Sequence, residues 1–501
     1  MRRPERSGLA GGGLLLLLLL SSARPARAHG SFPEVKQILL PADRAEQIIL
    51  ATNFGLIVSE DGGGSWSFSC EHGLSAYAAP YSLGAPDTHR LFAMTSGGVI
   101  YSDDEACGWQ MARGVLSNVL PYGFTVDASS SHRVYAIGVP LSMPYDGDNI
   151  YVSHDAGLSF EGPVYTSPPG SAVLTVLVAP SNPRVVFASM FSAPANHPLL
   201  LRSNDAGEHW QAATDLADSL GENPFELLAI DALDENKLYG RVLEASAETL
   251  AVSDDGGLSF VRSVSIPGKL SAFLKLASGT ILVGGTAGAD AAGYRSKDGG
   301  QSFEAWPGVP HVHALAERSG KLYVAADEFS DGYVLAQSDD EGAHLEPLAG
   351  FKQVQSLTSC VADLCTASCA YYAGSGLWPQ ATCGAPSTVP DEGLGGGAGD
   401  AGAAAGGAAA GDAAAGAAAA GAAAGAAANA GGEAPDARPT ESGAPAVSVG
   451  PEPLGSPAAG GGCACAVSGQ PRERSSTALL LSAWISLALR RRGRPLRPRD
   501  P

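Results

Sequence analysis

Short apolar runs recur along the first 350 residues, and most of them end on the same polar octet. Leu56-Ile57-Val58, Val99-Ile100-Tyr101, Ile150-Tyr151-Val152, Leu199-Leu200-Leu201 and Leu250-Ala251-Val252 each lead straight into it, and Tyr333-Val334-Leu335 precedes the last copy. Runs of this length, rich in β-branched and aromatic residues and bounded by Asp and Gly, predict strands. The octet reads Ser-x-Asp-x-Gly-x-x-aromatic. Full copies start at Ser59, Ser153, Ser203, Ser253 and Ser296, with Asp61, Gly63, Trp66; Asp155, Gly157, Phe160; Asp205, Gly207, Trp210; Asp255, Gly257, Phe260; and Asp298, Gly300, Phe303 at the fixed positions. Two copies are worn. The one from Ser102 keeps Asp104 but has Ala106 in place of Gly, and the one from Ser338 keeps Asp340 but ends on Leu345.

Each fixed residue has a physical task. A short carboxylate accepts from backbone N–H groups a residue or two further on. Glycine tolerates the positive φ that a tight hairpin needs. The aromatic opens the return strand and buries a large surface between sheets. The octet is therefore expected to be the turn of a repeated antiparallel hairpin. Successive copies lie 42 to 51 residues apart, the length of a four-stranded propeller blade. The expected fold is all-β: a seven-bladed β-propeller of four-stranded antiparallel blades.

From Phe32 to Gly350 the octets resemble Asp-box (BNR) repeats, the hairpin signature of sialidase-like, sortilin-like and related β-propellers. That resemblance implies that the box is structural and lies away from the ligand face. With strands a to d in each blade, the box falls on the c–d turn and shares a face with the a–b turn. Blade four would run Leu174–Ala179, Val185–Met190, Leu199–Ser203 and a strand from Trp210. Longer b–c connections, at 140–149, 191–198, 243–248, 286–292 and 327–332, then gather on the opposite face. Loops on a rigid scaffold carry function, so that face is the candidate ligand surface. Its candidate residues are Tyr145, Asp146, Asp148, Phe191, Glu244, Glu248, Asp290, Asp327, Phe329 and Asp331.

Chemistry is harder to find. The Arg-Ile-Pro-like motif of a sialidase is missing, since after the first 28 residues only Arg44, in Ala42-Asp43-Arg44-Ala45, precedes the first box, and arginine is scarce in the b–c connections. A glycosidase needs two carboxylates, and the acids above, with Glu328, are the available ones. The run Asp146-Gly147-Asp148-Asn149 offers oxygen ligands for calcium but lacks the ligand ladder of a known calcium loop; a turn is the simpler expectation. No catalytic residue, metal site or cofactor is assigned.

Composition adds compartment and tether. Without the first 28 and last 31 residues, 18 basic residues face 48 acidic ones, a balance that argues against nucleic acid as a partner. Residues 1–28 form an export signal: Arg2, Arg3 and Arg6, an apolar run from Leu9 to Leu20, and the small-residue site Ala26-Arg27-Ala28. Eight cysteines suit an oxidising compartment. Cys70 and Cys107 are expected to staple the first two blades. Cys360, Cys365, Cys369 and Cys383 are expected to form two disulfides in a cap over 351–385, a zinc site being the alternative. Phe351–Ser356 reads as one more inner strand, with a degenerate eighth blade as a rival arrangement.

Residues 386–460 are an Ala/Gly/Pro spacer with no apolar face to bury, expected to be disordered and to reach roughly 45–50 Å. In 461–501, Cys463 and Cys465 precede the apolar run Ala478–Leu489 and six arginines. That order resembles the myxobacterial C-terminal sorting signal, which implies a processing enzyme at the cysteines and a membrane hold through the tail. A plain single-pass anchor is the alternative. The expected protein is a monomer, exported to the cell surface or released. Its expected role is binding of glycans or surface proteins, with a glycoside hydrolase and an assembly factor as alternatives.

Overall fold

One hydrogen-bonding pattern, repeated at all seven octets, sets the shape of the chain. In each, the serine hydroxyl donates to the aspartate at 2.7–2.9 Å. The same hydroxyl accepts from the N–H of the fifth residue at 2.8–3.0 Å. The aspartate accepts from the N–H of the seventh residue at 2.7–3.0 Å. The acceptance is thus four residues on, further than a simple Asx turn reaches. The fourth and fifth residues of every octet take positive φ, including Glu105 and Ala106 in the worn second copy.

The computed structural model describes residues 33–70, 80–127, 132–141, 147–287 and 290–384. Seven sheets follow one another around a ring. Blade 1 holds Val35–Leu39, Ile48–Thr52, Gly55–Ser59 and Trp66–Cys70. Blade 2 begins at Tyr81–Leu83, blade 3 at Val119–Val126, blade 4 at Ser171–Val178, blade 5 at Phe225–Ile230, blade 6 at Lys269–Lys275 and blade 7 at Val312–Arg318. Within each blade consecutive strands pair antiparallel. The first strands neighbour one another around the axis, and that of blade 7 meets that of blade 1. The protein is a seven-bladed β-propeller.

Octet corners also serve as contacts between blades. A Cβ added at Gly157 would lie 2.3 Å from Phe92 of blade 2, and one at Gly257 would lie 2.2 Å from Leu200 of blade 4. Glycine is thus needed twice over, for positive φ and for close approach. Other corners accept hydrogen bonds from the preceding blade: Tyr135 Oη donates to Ala206 O at 2.8 Å and Trp306 Nε1 to Gly342 O at 2.8 Å. Trp66, Phe160 and Phe260 are buried as expected; Trp210 and Phe303 are half-buried.

Three expectations change. Blade 4 runs Ser171–Val178, Val186–Ser192 and His197–Ser203, but its fourth strand is only Thr214–Asp215. Trp210 instead packs on Tyr165 of blade 3, ring centres 5.9 Å apart. There is no eighth blade among the described residues, and the strand after Gly350 is not an inner one. Val354–Leu357 lies on the outer edge of blade 1, parallel to Trp66–Phe68, with Thr358 N donating to Phe68 O at 2.9 Å. Phe351 and Val354 bury their side chains there while the strand edge of blade 1 gains a partner. Finally, Cys70 does not pair with Cys107. Cys70 pairs with Cys365 and Cys107 with Cys360, and Cys369–Cys383 closes the cap on itself. The cap segment from Ser359 to Trp378, with the helix Ala362–Gly374 at its centre, therefore ties two blades to the C-terminal strand. It packs Tyr372 and Trp378 against Phe54 and Phe68. No described helix is long and apolar enough to cross a membrane.

Two stability outcomes follow. Ser253 is 1 % exposed, so Ser253→Ala orphans the Gly257 N–H and should cost about 1–3 kcal/mol. Ala106→Gly relieves a non-glycine positive φ and should gain about 0.5–1 kcal/mol. Urea unfolding monitored by tryptophan fluorescence measures both.

Candidate functional site

The a–b and c–d turns do share a face: Gly256 N donates to Asn236 O at 2.8 Å and Ala206 N to Arg184 O at 2.7 Å, each joining the two turns of one blade. The b–c connections hold the other face. There, the second and third strands run on into two of the longer connections, as Ser192↔His197 and Ala287↔Asp290 pairings show.

Two of the candidate acids, Asp148 and Glu248, bond across to the next blade. Asp148, 3 % exposed, accepts from Tyr122 Oη at 2.7 Å and from Val173 N of blade 4 at 2.9 Å. Glu248 accepts from Leu270 N of blade 6 at 2.9 Å and from Arg241 at 3.3 Å. Glu244 is paired with Arg262 and accepts from Thr249 at 2.9 Å. Asp290 is exposed at the tip of blade 6 and Phe191 is half-buried in its strand. Tyr145 and Asp146 lie outside the described residues, as do Cys463, Cys465, the export signal, the spacer and the tail.

Other side chains that bridge neighbouring blades carried no sequence signal of their own. Gln37 of blade 1 pairs by its side-chain amide with both Tyr81 N and Tyr81 O of blade 2, at 2.8 and 3.1 Å. Arg241, 9 % exposed, bonds the buried Glu226 through Nε at 2.8 Å and Nη2 at 2.6 Å, and also donates to Leu270 O at 2.7 Å. Burial holds the Glu226 carboxyl above its usual range against the pull of Arg241.

The remaining candidates form one built loop on blade 7. Glu328–Asp331 is a single helical turn capped by Asp327, which accepts from Ser330 N at 2.8 Å, and ended by Gly332 at positive φ. Asp331 accepts from His311 N at 3.0 Å and Asp327 N at 3.2 Å. Glu328 accepts from Phe351 N at 3.1 Å, and burial raises its carboxyl. With both ends bonded to the blade, the turn lifts Phe329 to 90 % exposure. Beside it, at the seam of blades 7 and 1, His313 sits with Glu34 at 3.6 Å and Asp327 at 4.0 Å on opposite sides of its ring. Burial lowers the His313 pKa against those two carboxylates. Neither Glu34 nor His313 stood out in sequence, because only ring closure brings residue 34 to residue 313.

On the opposite face, Asp205, Glu208 and His209 bring three ligand-type atoms within 4.8 Å. Asp205 already accepts from Ser203, the His209 N–H and the His209 ring. No protein-family model matches the chain and no curated protein matches it in sequence. Solved structures to which it is similar include a GH74 xyloglucanase from Xanthomonas campestris, at 15 % identity and TM-score 0.31, over 62 % of this chain and 57 % of that one. The chain thus spans little more than half the length of that protein. YCF48 from Cyanidioschyzon merolae matches at 13 % identity and TM-score 0.45, over 62 % of this chain and 96 % of that one. A nidogen/laminin complex matches at 12 % identity and TM-score 0.35, over 53 % and 94 %.

Two outcomes test the geometry. Asp148→Ala leaves Tyr122 and Val173 N without this acceptor and should lower stability by about 1–3 kcal/mol, read by urea unfolding. The His209 N–H, then Ser203 and the His209 ring, hold Asp205 down to about 2 from 3.8. A depressed carboxyl contributes stability above its unfolded pKa and loses it as pH falls through the folded one. The melting-temperature gap between the natural chain and Asp205→Asn should therefore persist above about pH 4 and close by about pH 2.

Proposed function

We propose that this protein is an exported propeller of Asp-box type, displayed at the cell surface, whose b–c face binds a glycan or a surface protein without catalysis. Export and tethering rest on the N-terminal basic-apolar-small pattern and on the Cys-apolar-Arg order of the tail. A processing enzyme acting at Cys463 and Cys465 would decide between display and release.

The observation that carries the binding role is Phe329. It is a large aromatic, 90 % exposed, carried on a turn that is bonded at both ends. Rigid, exposed aromatics are what binding surfaces use as anchors. The engagement of Asp148, Glu244 and Glu248 in bonds between strands and blades weighs against their use as an acid–base pair.

The test is a glycan array together with a pull-down from cell-surface extract, using the full exported chain and Phe329→Ala. The variant should melt at the same temperature and lose about tenfold or more of its binding. Equal binding by the variant, or turnover of chromogenic glycosides by the natural chain, would overturn the reading.

A further inference from the structure

The outer strands of the blades are not equally covered, and the differences follow one rule. On blade 1 the edge takes Val354–Leu357 as a parallel fifth strand. On blade 3 it takes Arg113–Gly114, again parallel, with Arg113 N donating to Leu158 O at 2.8 Å and Gly114 opposite Phe160. Both added strands come from the segment leaving the preceding blade, and both meet the residues at the end of the octet.

Blade 5 has the same receiving corner without the strand. Its octet ends Gly257-Leu258-Ser259-Phe260, the same four residues as Gly157-Leu158-Ser159-Phe160 in blade 3. Among the described residues no strand pairs with the outer edge of Val261–Ile266. The segment that could have done so stays on blade 4, where Leu216 N donates to Pro198 O at 3.1 Å and Ala217 N to Asp215 at 2.9 Å. It returns to blade 5 only as the turn Ala217–Leu220, which meets the strand through Arg262 Nη1 on Leu220 O at 3.2 Å.

Two consequences of that missing strand are visible. Leu258 is 69 % exposed and Val261 72 % exposed, whereas Leu158 of blade 3 is half-buried. A cleft of about 250 Å³ opens between the shortened fourth strand of blade 4 and this corner, lined by Leu200, Arg202, Gln211, Thr214, Asp255 and Leu258.

We propose that this cleft and the edge at Phe260–Arg262 form a second binding site, which takes an extended peptide of a partner protein as a parallel fifth strand. Main-chain pairing would supply affinity, as in other strand-addition complexes. The filled corner of blade 3 states the sequence such a peptide needs. Opposite the aromatic it must have glycine, because a Cβ at Gly114 would lie 2.2 Å from Phe160 O. Before the glycine the filled corner has Arg113, opposite Ser159, in an octet that carries Asp155 where this one carries Asp255. After it an apolar residue can cover Leu258 and Val261. This site is on the octet side of the blade and does not depend on the Phe329 face.

A fluorescein-labelled peptide with the sequence of residues 110–118 of this chain, titrated into the full chain and followed by anisotropy, tests the proposal. Saturable binding is expected, weakened about tenfold or more by the double variant Leu258→Glu, Val261→Glu and by a Gly114→Val peptide. Because Leu258 and Val261 are exposed, the double variant should keep the natural melting temperature. Phe329→Ala should bind the peptide as the natural chain does. Absence of saturation up to about 1 mM, where only about −4 kcal/mol of binding is needed, would overturn the proposal. So would equal binding by the double variant or loss of binding in Phe329→Ala.

Discussion

A buried serine hydroxyl that donates to an aspartate and accepts from a backbone N–H fixes every blade of this protein. Ser59, Ser102, Ser153, Ser203, Ser253, Ser296 and Ser338 are all 4 % exposed or less. At such depth a hydroxyl without partners is costly, and a tight turn leaves N–H groups that the sheet cannot satisfy. The corner answers both needs at once. It also explains why the motif tolerates wear. Ala106 can stand in for glycine because the hydrogen bonds of Ser102 and Asp104 persist, and Leu345 can stand in for the aromatic because the hydrogen bonds of Ser338 and Asp340 persist without it.

Closure of the ring is a different kind of problem, and the chain answers it twice. The four antiparallel strands of blade 1 all come from the N-terminal side, so no antiparallel strand is shared between the two ends of the propeller. Blade 7 is held to blade 1 by side-by-side contact of their first strands and by bonds such as Arg318 Nη1 to Gln47 O at 2.7 Å. The parallel strand Val354–Leu357 then crosses the seam and adds itself to the far edge of blade 1. Two disulfides anchor the segment behind it, one to blade 1 and one to blade 2, across sequence separations of 295 and 253. Cross-links over loops that long restrict the unfolded chain most, and here they lock a short parallel strand in place.

The blades, their number and the sidedness of their turns were legible in the octets, because strand period and corner chemistry are local. The serine's part was legible in principle from its presence in all seven copies, although no local rule assigns it two bonds. What remained hidden needed the third dimension. The pairing of Cys107 with Cys360 depends on where the C-terminal segment docks, and that docking depends on an open strand edge 290 residues earlier. The same limit applied to the ligand face. Asp148 and Glu248 looked like loop acids by position, but both carboxylates accept from a backbone N–H of the next blade. Phe329 kept its expected place because the Asp327 cap and Gly332 terminate its turn locally.

The two faces of the ring therefore differ in what they leave available. On the b–c side, polar side chains bridge neighbouring blades: Gln37 to Tyr81, Asp148 to Val173, Ser189 to Leu227 N and Glu248 to Leu270. Such groups give up their own recognition capacity to keep the first strands in register, so what projects beyond them is a few ordered features, Phe329 foremost. On the octet side each corner bonds within itself and to the preceding blade, and variation enters through the segments between blades. Where a segment is long and crosses early, as at Arg113–Gly114, it completes the next blade; where it stays on its own blade, as at Leu216, the next corner is left uncovered. Differences between nearly identical repeats thus arise from their connections rather than their strands.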